Sequence, residues 1–433
     1  MNVVVVGGGV AGIAAALELA ASGASVTLVE VRPRLGGAAY SVARGDLWLD
    51  NGQHVFLRCC TAYRELLARL GSTELVELQP RLQIPVLAPG RPAVILRRSG
   101  ARAPLHLAGA LLRYPLLSFG ERVRAGRAAL ALGRVAPDDS RTLGDWLTEH
   151  GQSPRAIAAL WDLIALPTLN LRAAEASLAL GAFVFQVGLL RDAAAGDIGV
   201  HRAPLQQIIG DPAARALGAA GVTVLLRWRA ERVTGVGSRF AVVGAAGSWL
   251  GADAVIVAVP HDRAAGILPE VALRGARWPG ALGSSPIVNL HVVYDRRVLE
   301  HPFAAGVDTP VQYVFDRTPA AWSDARQYIA VSLSGARAEL AMSPRALRER
   351  FLPALAELLP AAADADVELF TATKEHAATF AATPGTAALR PPAATAVRGL
   401  ALAGAWTATG WPATLEGATL SGLAAARAVL ADR

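Results

Sequence analysis

Cysteine is nearly missing from this chain: adjacent Cys59 and Cys60 are the only two in 433 residues. Such a pair offers neither a disulfide framework nor metal-ligand spacing, so it suits a reducing compartment. Lysine is scarcer still. Lys374 stands alone, and the formal charge of +7 rests on arginine. No run of 18 or more strongly apolar residues is free of charge, although 53% of the chain is hydrophobic, so no membrane-spanning helix is expected. No basic segment precedes the apolar start, which argues against a secretory signal peptide. No basic tract is interleaved with aromatic residues, and no nucleic-acid partner is expected. An anionic membrane surface suits a basic, apolar chain better. The length favours two domains over one.

What is present is concentrated at the start, in "MNVVVVGGGVAGIAAALELAASGASVTLVE". Val3 to Val6 form a β-branched run of the kind buried on both faces of a parallel sheet. Gly7, Gly9 and Gly12 then give the G-x-G-x-x-G spacing. The first permits a tight turn, the second admits a pyrophosphate to the backbone, and the third lets helix and strand pack closely. A helix is expected over 10–22, stopped by Gly23, with the first N–H groups of Val10 and Ala11 free to meet an anion. A second strand, 25–30, ends in Glu30, 18 residues after Gly12, near the spacing of a carboxylate that binds ribose hydroxyls. Strand, turn, helix, strand and acid in this order predict an adenine dinucleotide site. The competing reading is a glycine turn that holds nothing.

The next stretch, "EVRPRLGG", carries Val31, Arg32, Arg34, Gly36 and Gly37. It resembles the second phosphate-binding segment of the FAD-dependent amine oxidase and carotenoid desaturase superfamily. Two arginines and a glycine pair can bring cations and open N–H groups to a pyrophosphate. Relatives often follow the glycines with arginine; here Ala38 stands there. Residues 222–260 are short β-rich pieces between glycine turns, closing in an apolar strand expected over 253–259. They resemble that superfamily's middle segment, with Val233 where relatives pair backbone with adenine. The end of the chain, "GLALAGAWTATGWPATLEGATLSG", shows a strand at 400–403, Gly404, a loop with Trp406 and Trp411, and then a long alanine-rich helix. It resembles the C-terminal FAD motif, which places Gly404, Leu415 and Glu416 at the cofactor. The aspartate usual after the strand's glycine is replaced by Ala405.

This resemblance implies an α/β protein: an FAD-binding Rossmann-like domain with a parallel sheet and β-meander, plus an interleaved α+β substrate domain. The expected division assigns 1–75, 205–270 and 386–433 to FAD, and 76–204 and 271–385 to substrate. The first substrate segment reads as helical, with an amphipathic basic helix pair over 105–132. That pair is either an interfacial membrane dock or ordinary core. In the second, an alternating strand is expected over 287–294.

"LWLDNGQHVFLRCC", "LWDLIALPTLNLRAAEASLALGAFVFQ" and "GWPATLEGATLSG" together resemble the hydroxysqualene dehydroxylase family. The resemblance implies conversion of hydroxysqualene to squalene in squalene and hopanoid biosynthesis. It implies reduced FAD, an external reductase or NAD(P)H as electron donor, and a C30 polyprenyl substrate. It also implies a cytoplasmic protein held peripherally at the inner face of the cell membrane. Loss of an allylic hydroxyl needs a proton for the leaving oxygen. Asp50, His54 and Glu416 are the candidate acids, since a carboxyl in an apolar pocket can stay protonated. Gly52, Gln53 and His54 are implied flavin contacts. A carotenoid desaturase-like or amine oxidase-like reaction and a non-catalytic prenyl-binding role remain the alternatives.

Overall fold

The computed structural model describes residues 1–235, 239–273, 279–319, 321–322 and 325–432. Part of the expected β-rich segment 222–260, residues 236–238, lies outside them. Strand β1 (Asn2–Val6) is followed by helix α1 (Val10–Ala21) and strand β2 (Ser25–Glu30). β1 pairs in parallel with β2 and with β4 (Ala254–Val257), so Val3 faces Val26 on one side and Ala254 on the other. β3 (Thr223–Leu226) and β5 (Leu400–Leu402) complete a five-stranded sheet in the order β3-β2-β1-β4-β5. Val3 to Val6 are at most 3% exposed, the burial that their unbroken apolar run requires. β4 is shorter than the expected 253–259, because Pro260 opens the helix His261–Ile267.

Close approach explains several glycines. A Cβ on Gly12 would lie 1.9 Å from the Gly7 carbonyl oxygen, so only glycine lets α1 start so near the turn. The C-terminal helix, Leu415–Ala431, packs on α1, and a Cβ on Gly422 would lie 2.1 Å from the Ala11 oxygen. Helix α2 (Thr61–Leu70) packs on the same C-terminal helix, which we label α3.

A meander of Ala230–Thr234, Phe240–Gly244 and Trp249–Ala252 branches from the parallel sheet, as expected for 222–260. A second sheet has seven strands, running from Val367–Phe380 through Ser284–Tyr294, Gln327–Ser334, Tyr313–Asp316, Phe303–Gly306 and Gln83–Leu87 to Val94–Arg97. The segment read as helical therefore also holds strands. Gln83–Leu87 pairs in parallel with Phe303–Gly306, a partner no local pattern could reveal.

The stretch 105–132 is a broken pair. A helix at Ala108–Leu112 ends before Pro115, and Phe119–Leu132 begins at Ser118, which forms a reciprocal capping box with Glu121. Burial divides this stretch into two sets of residues. Tyr114, Leu116, Leu117 and Leu132 are core, whereas Leu105, Leu112, Phe119 and Leu130 are exposed.

Candidate cofactor and active site

The two glycine segments meet. Gly36 N donates to Gly8 O at 2.9 Å, and a Cβ on Gly37 would lie 2.6 Å from Gly9 Cα. α1 starts at Gly9 without a side-chain cap, so its first N–H groups remain open to a ligand. Arg34 lies over the Tyr40 ring at 3.6 Å and Arg32 at 5.7 Å. Burial, then the neighbouring Arg32, pushes the Arg34 guanidinium below its ordinary value. Glu30 is buried. Its Oε2 accepts from Gly8 N at 2.6 Å and its Oε1 from Arg32 N at 2.8 Å, so this carboxylate shapes the turn itself. Val31 is largely exposed beside it, and Val233 is buried in the meander against Val242.

A second cluster surrounds residues 50–54. Asn51 Oδ1 accepts from Tyr40 N at 3.0 Å, and its Nδ2 donates to Ala38 O at 2.8 Å and Glu375 Oε1 at 3.1 Å. Tyr40 donates its hydroxyl to the same Glu375 oxygen at 2.9 Å. Asn289 donates to Asn51 O at 2.8 Å from the seven-stranded sheet. A Cβ on Gly52 would meet His54 Nε2 at 3.4 Å and Asn289 Nδ2 at 3.8 Å, so both polar groups converge on Gly52. Gln53 Nε2 and Asn289 Oδ1 are buried without a hydrogen-bond partner, which is costly unless a ligand satisfies them. Orphaned polar atoms, an uncapped helix start and touching glycine turns fit a bound dinucleotide cofactor.

His201 fixes this loop from beneath. Its Nδ1 lies 2.7 Å from the His54 carbonyl and its Nε2 2.8 Å from the Tyr63 hydroxyl. Burial pushes its pKa down to about 3, so the ring is neutral with one N–H. A carbonyl only accepts, so Nδ1 carries that proton and Nε2 accepts from Tyr63. His201, Asn289, Arg317 and Glu375 escaped the sequence reading because each reaches the loop from a distant segment.

The three candidate acids differ sharply. Asp50 Oδ1 accepts from Ser41 Oγ at 2.6 Å and Leu205 N at 3.1 Å, and Oδ2 pairs with Arg317 at 2.7 Å. This is a fully engaged carboxylate, the arrangement of a residue that holds its loop together. Glu416 is engaged likewise. It accepts from Ala62 N at 3.1 Å and Tyr63 N at 2.7 Å, capping the start of α2, and burial raises its pKa. His54 alone keeps ring nitrogens without a hydrogen-bond partner among the described residues. Burial lowers its pKa, against the opposing pull of Asp50 and Glu375, so it is neutral near pH 7.

At the C-terminal loop, Gly404 has φ +143°, and a Cβ there would lie 2.3 Å from Trp406 Nε1. Gly404 N donates to Ser421 Oγ of α3 at 2.8 Å, so the helix holds the turn that Ala405 follows. Leu415 is the first residue of α3, and Thr414 caps it through Gly417 N. Trp411 stands edge-on to Phe183 at 5.2 Å. No group of His, Cys, Asp and Glu among the described residues could hold a metal ion.

Comparison with known proteins agrees with this geometry. The chain is 30% identical to hydroxysqualene dehydroxylase of Rhodopseudomonas palustris, over 99% of this chain and 98% of that one. It is 26% identical to hydroxysqualene dehydroxylase of Sinorhizobium fredii over 94% and 93%. Zeta-carotene desaturase of Synechocystis is 24% identical over 100% and 98%. A putrescine oxidase variant superposes with a TM-score of 0.76 at 19% identity, over 100% of this chain and 99% of that one. Residues 10–430 match the flavin containing amine oxidoreductases: the chain belongs to that family and is an FAD-dependent oxidoreductase.

Proposed function

We propose that the protein carries out reductive dehydroxylation of hydroxysqualene to squalene. The observation that carries this reading is the match, over nearly the full length of both chains, to a relative that bears that activity's name. Bound FAD supplies the two electrons. On the protein side, Gly7, Gly9, Gly12, Gly36 and Gly37 take the pyrophosphate, Glu30 the adenosine ribose, and Val233 the adenine edge. Gln53 and Asn289 turn their unpartnered atoms to the flavin. His54 faces the leaving hydroxyl and passes it a proton. Asp50 and Glu416 are positioning residues, one through Arg317 and the other through α2.

The separate five- and seven-stranded sheets support a division into an FAD domain and a substrate domain. A polyprenyl alcohol reaches the site from a membrane surface, through the exposed apolar rim of Leu105, Leu112 and Phe119. No described helix is long and apolar enough to cross a membrane. Electrons come from a separate reductase or from direct encounter with NAD(P)H, since no second glycine fingerprint is present.

The amine oxidase alternative is weaker. Lys374, the chain's sole lysine, donates to the carbonyls of Leu340 and Met342 and is thereby committed to structure. The deciding experiment is product analysis after anaerobic incubation of the holoenzyme with hydroxysqualene and a chemical reductant. Squalene is the expected product. Turnover of carotenes or amines without squalene would overturn the reading.

A further inference from the structure

Arg390 is a buried cation without an anion. It is 8% exposed and makes no ion pair among the described residues. Its partners are instead the acceptors of one loop. Nε donates to Thr407 O at 3.0 Å. Nη2 donates to Trp411 O at 2.7 Å, Ala405 O at 3.2 Å and Thr409 Oγ1 at 3.3 Å, and also to Thr407 O. The guanidinium lies over the Phe380 ring at 4.9 Å. Burial pushes its pKa down against the pull of the Asp139 carboxylate, which is already engaged by Ser177 Oγ and Ala387 N. Pro391 O anchors the same loop by accepting from Ala408 N at 2.8 Å.

A buried charge is costly unless an opposite charge or a set of dipoles compensates it. Four acceptors and a ring face do so in part. They also hold the guanidinium against the turn that connects β5 to α3, the segment at which FAD-family chains meet their flavin. α3 presents its N-terminus to the same loop, with Thr414 as cap, and adds a positive dipole end. FAD gains negative charge when it is reduced and binds to protein as an anion. Positive potential here therefore favours the reduced form.

We propose that Arg390 supplies the positive charge that makes this protein hold reduced FAD more tightly than oxidised FAD. The inference rests on FAD binding alone and stands or falls independently of which alcohol, carotene or amine is the substrate.

The test is the reduction midpoint potential of the bound flavin, by equilibrium dye titration, together with FAD retention on gel filtration. Wild-type holoenzyme should show a potential above that of free FAD. Arg390→Met should lower the ratio of reduced to oxidised affinity at least tenfold, equivalent to a fall of about 30 mV for a two-electron couple. Arg390→Lys keeps the charge but loses the fork, so it should retain FAD less well while leaving the ratio of reduced to oxidised affinity within a few-fold of wild type. A wild-type potential below that of free FAD overturns the proposal without any variant. It is equally overturned if Arg390→Met loses FAD affinity but keeps the wild-type potential, because Arg390 is then a staple of the loop and nothing more. If Arg390→Met does not fold, the wild-type potential and the Arg390→Lys pair decide.

Discussion

Arg317 and Asp50, 267 residues apart, meet at 2.7 Å with side chains 15% and 4% exposed. The same Nη2 reaches Ala203 O at 3.2 Å, and Nη1 donates to the carbonyl of His201. One guanidinium thus joins the hairpin that carries Asp50 to the segment whose His201 holds His54. Removing one partner of such a pair leaves a buried charge alone, which costs about 3–5 kcal/mol. Asp50→Asn should lose stability of that order in urea unfolding. The double substitution Asp50→Leu with Arg317→Met should recover much of it. If Asp50→Asn unfolds at the wild-type midpoint, the pair contributes nothing.

The parts of this site that could be read in the sequence are those made by neighbours in the chain. β1, α1 and β2 are legible because an unbroken β-branched run, glycine spacing and a terminal acid all act within about 30 residues. The C-terminal strand, loop and helix were visible for the same reason. Asp50 and Glu416 stand in motifs legible in the sequence, but the donors that engage them are not. Arg317 and the start of α2 are remote in sequence, and a carboxyl's role depends on which donors reach it. Glu375 meets Tyr40 across 335 residues through a side-chain hydrogen bond that no spacing encodes. The strand character of Gln83–Leu87 was missed on the same ground.

Glu30 gives a sharper expectation now that both oxygens are seen to accept backbone N–H groups. Loss of a hydrogen bond to a charged group costs ~1.5–3 kcal/mol, so Glu30→Ala should weaken FAD binding by at least that range. Glu30→Gln should not be mild. An amide can accept at only one of the two N–H groups, and its NH2 faces the other donor. Fluorescence titration of apoprotein with FAD measures both. Near wild-type affinity in Glu30→Gln would mean that one of the two bonds is dispensable.

Buried neutral histidines predict acid sensitivity. The folded pKa is about 3 for His201 and about 4 for His291, both lowered by burial, against 6.5 in the unfolded chain. The unfolded state therefore takes up protons first, and stability is lost as pH falls below 6.5 towards 4. At pH 5 the loss is about 2 kcal/mol for each ring. Urea midpoints at pH 7 and pH 5 should differ accordingly, and His291→Gln should narrow the difference. A midpoint equal at both pH values would show that these rings are not buried neutral.

His54 makes a separate prediction for turnover. Its pKa is lowered, so the protonated fraction is small at pH 7 and grows as pH falls. If it passes the proton to the leaving oxygen, kcat with hydroxysqualene should rise on going from pH 8 to pH 6. His54→Gln should lower kcat by roughly 10²–10⁴-fold, the usual contribution of a positioned acid, and remove the slope. An unchanged slope in the variant assigns the proton to another group.

The proposed membrane dock can be tested on residues chosen by exposure. Leu105 is 65% exposed, Leu112 51% and Phe119 70%, on elements packed together at one edge of the seven-stranded sheet. Leaving such side chains in water forgoes about 1.5–3 kcal/mol each on full burial, and the partial burial available in a headgroup layer recovers some of it. Arg124 and Arg127 of the same helix add on the order of 1 kcal/mol apiece on anionic lipid. Arg122 belongs in a different class. Its guanidinium donates to Leu117 O at 2.8 Å and Leu112 O at 2.6 Å, closing the turn between the two helices, so replacing it would test folding rather than docking. The informative variant is Leu112→Ser with Phe119→Ser, compared with Arg124→Gln with Arg127→Gln, in sedimentation with vesicles. The serine pair should weaken binding to neutral and anionic vesicles alike, whereas the glutamine pair should remove only the preference for anionic lipid and the sensitivity to salt. FAD absorbance should be unchanged in both. Wild-type protein that stays in the supernatant with both lipids would place the substrate's entry elsewhere.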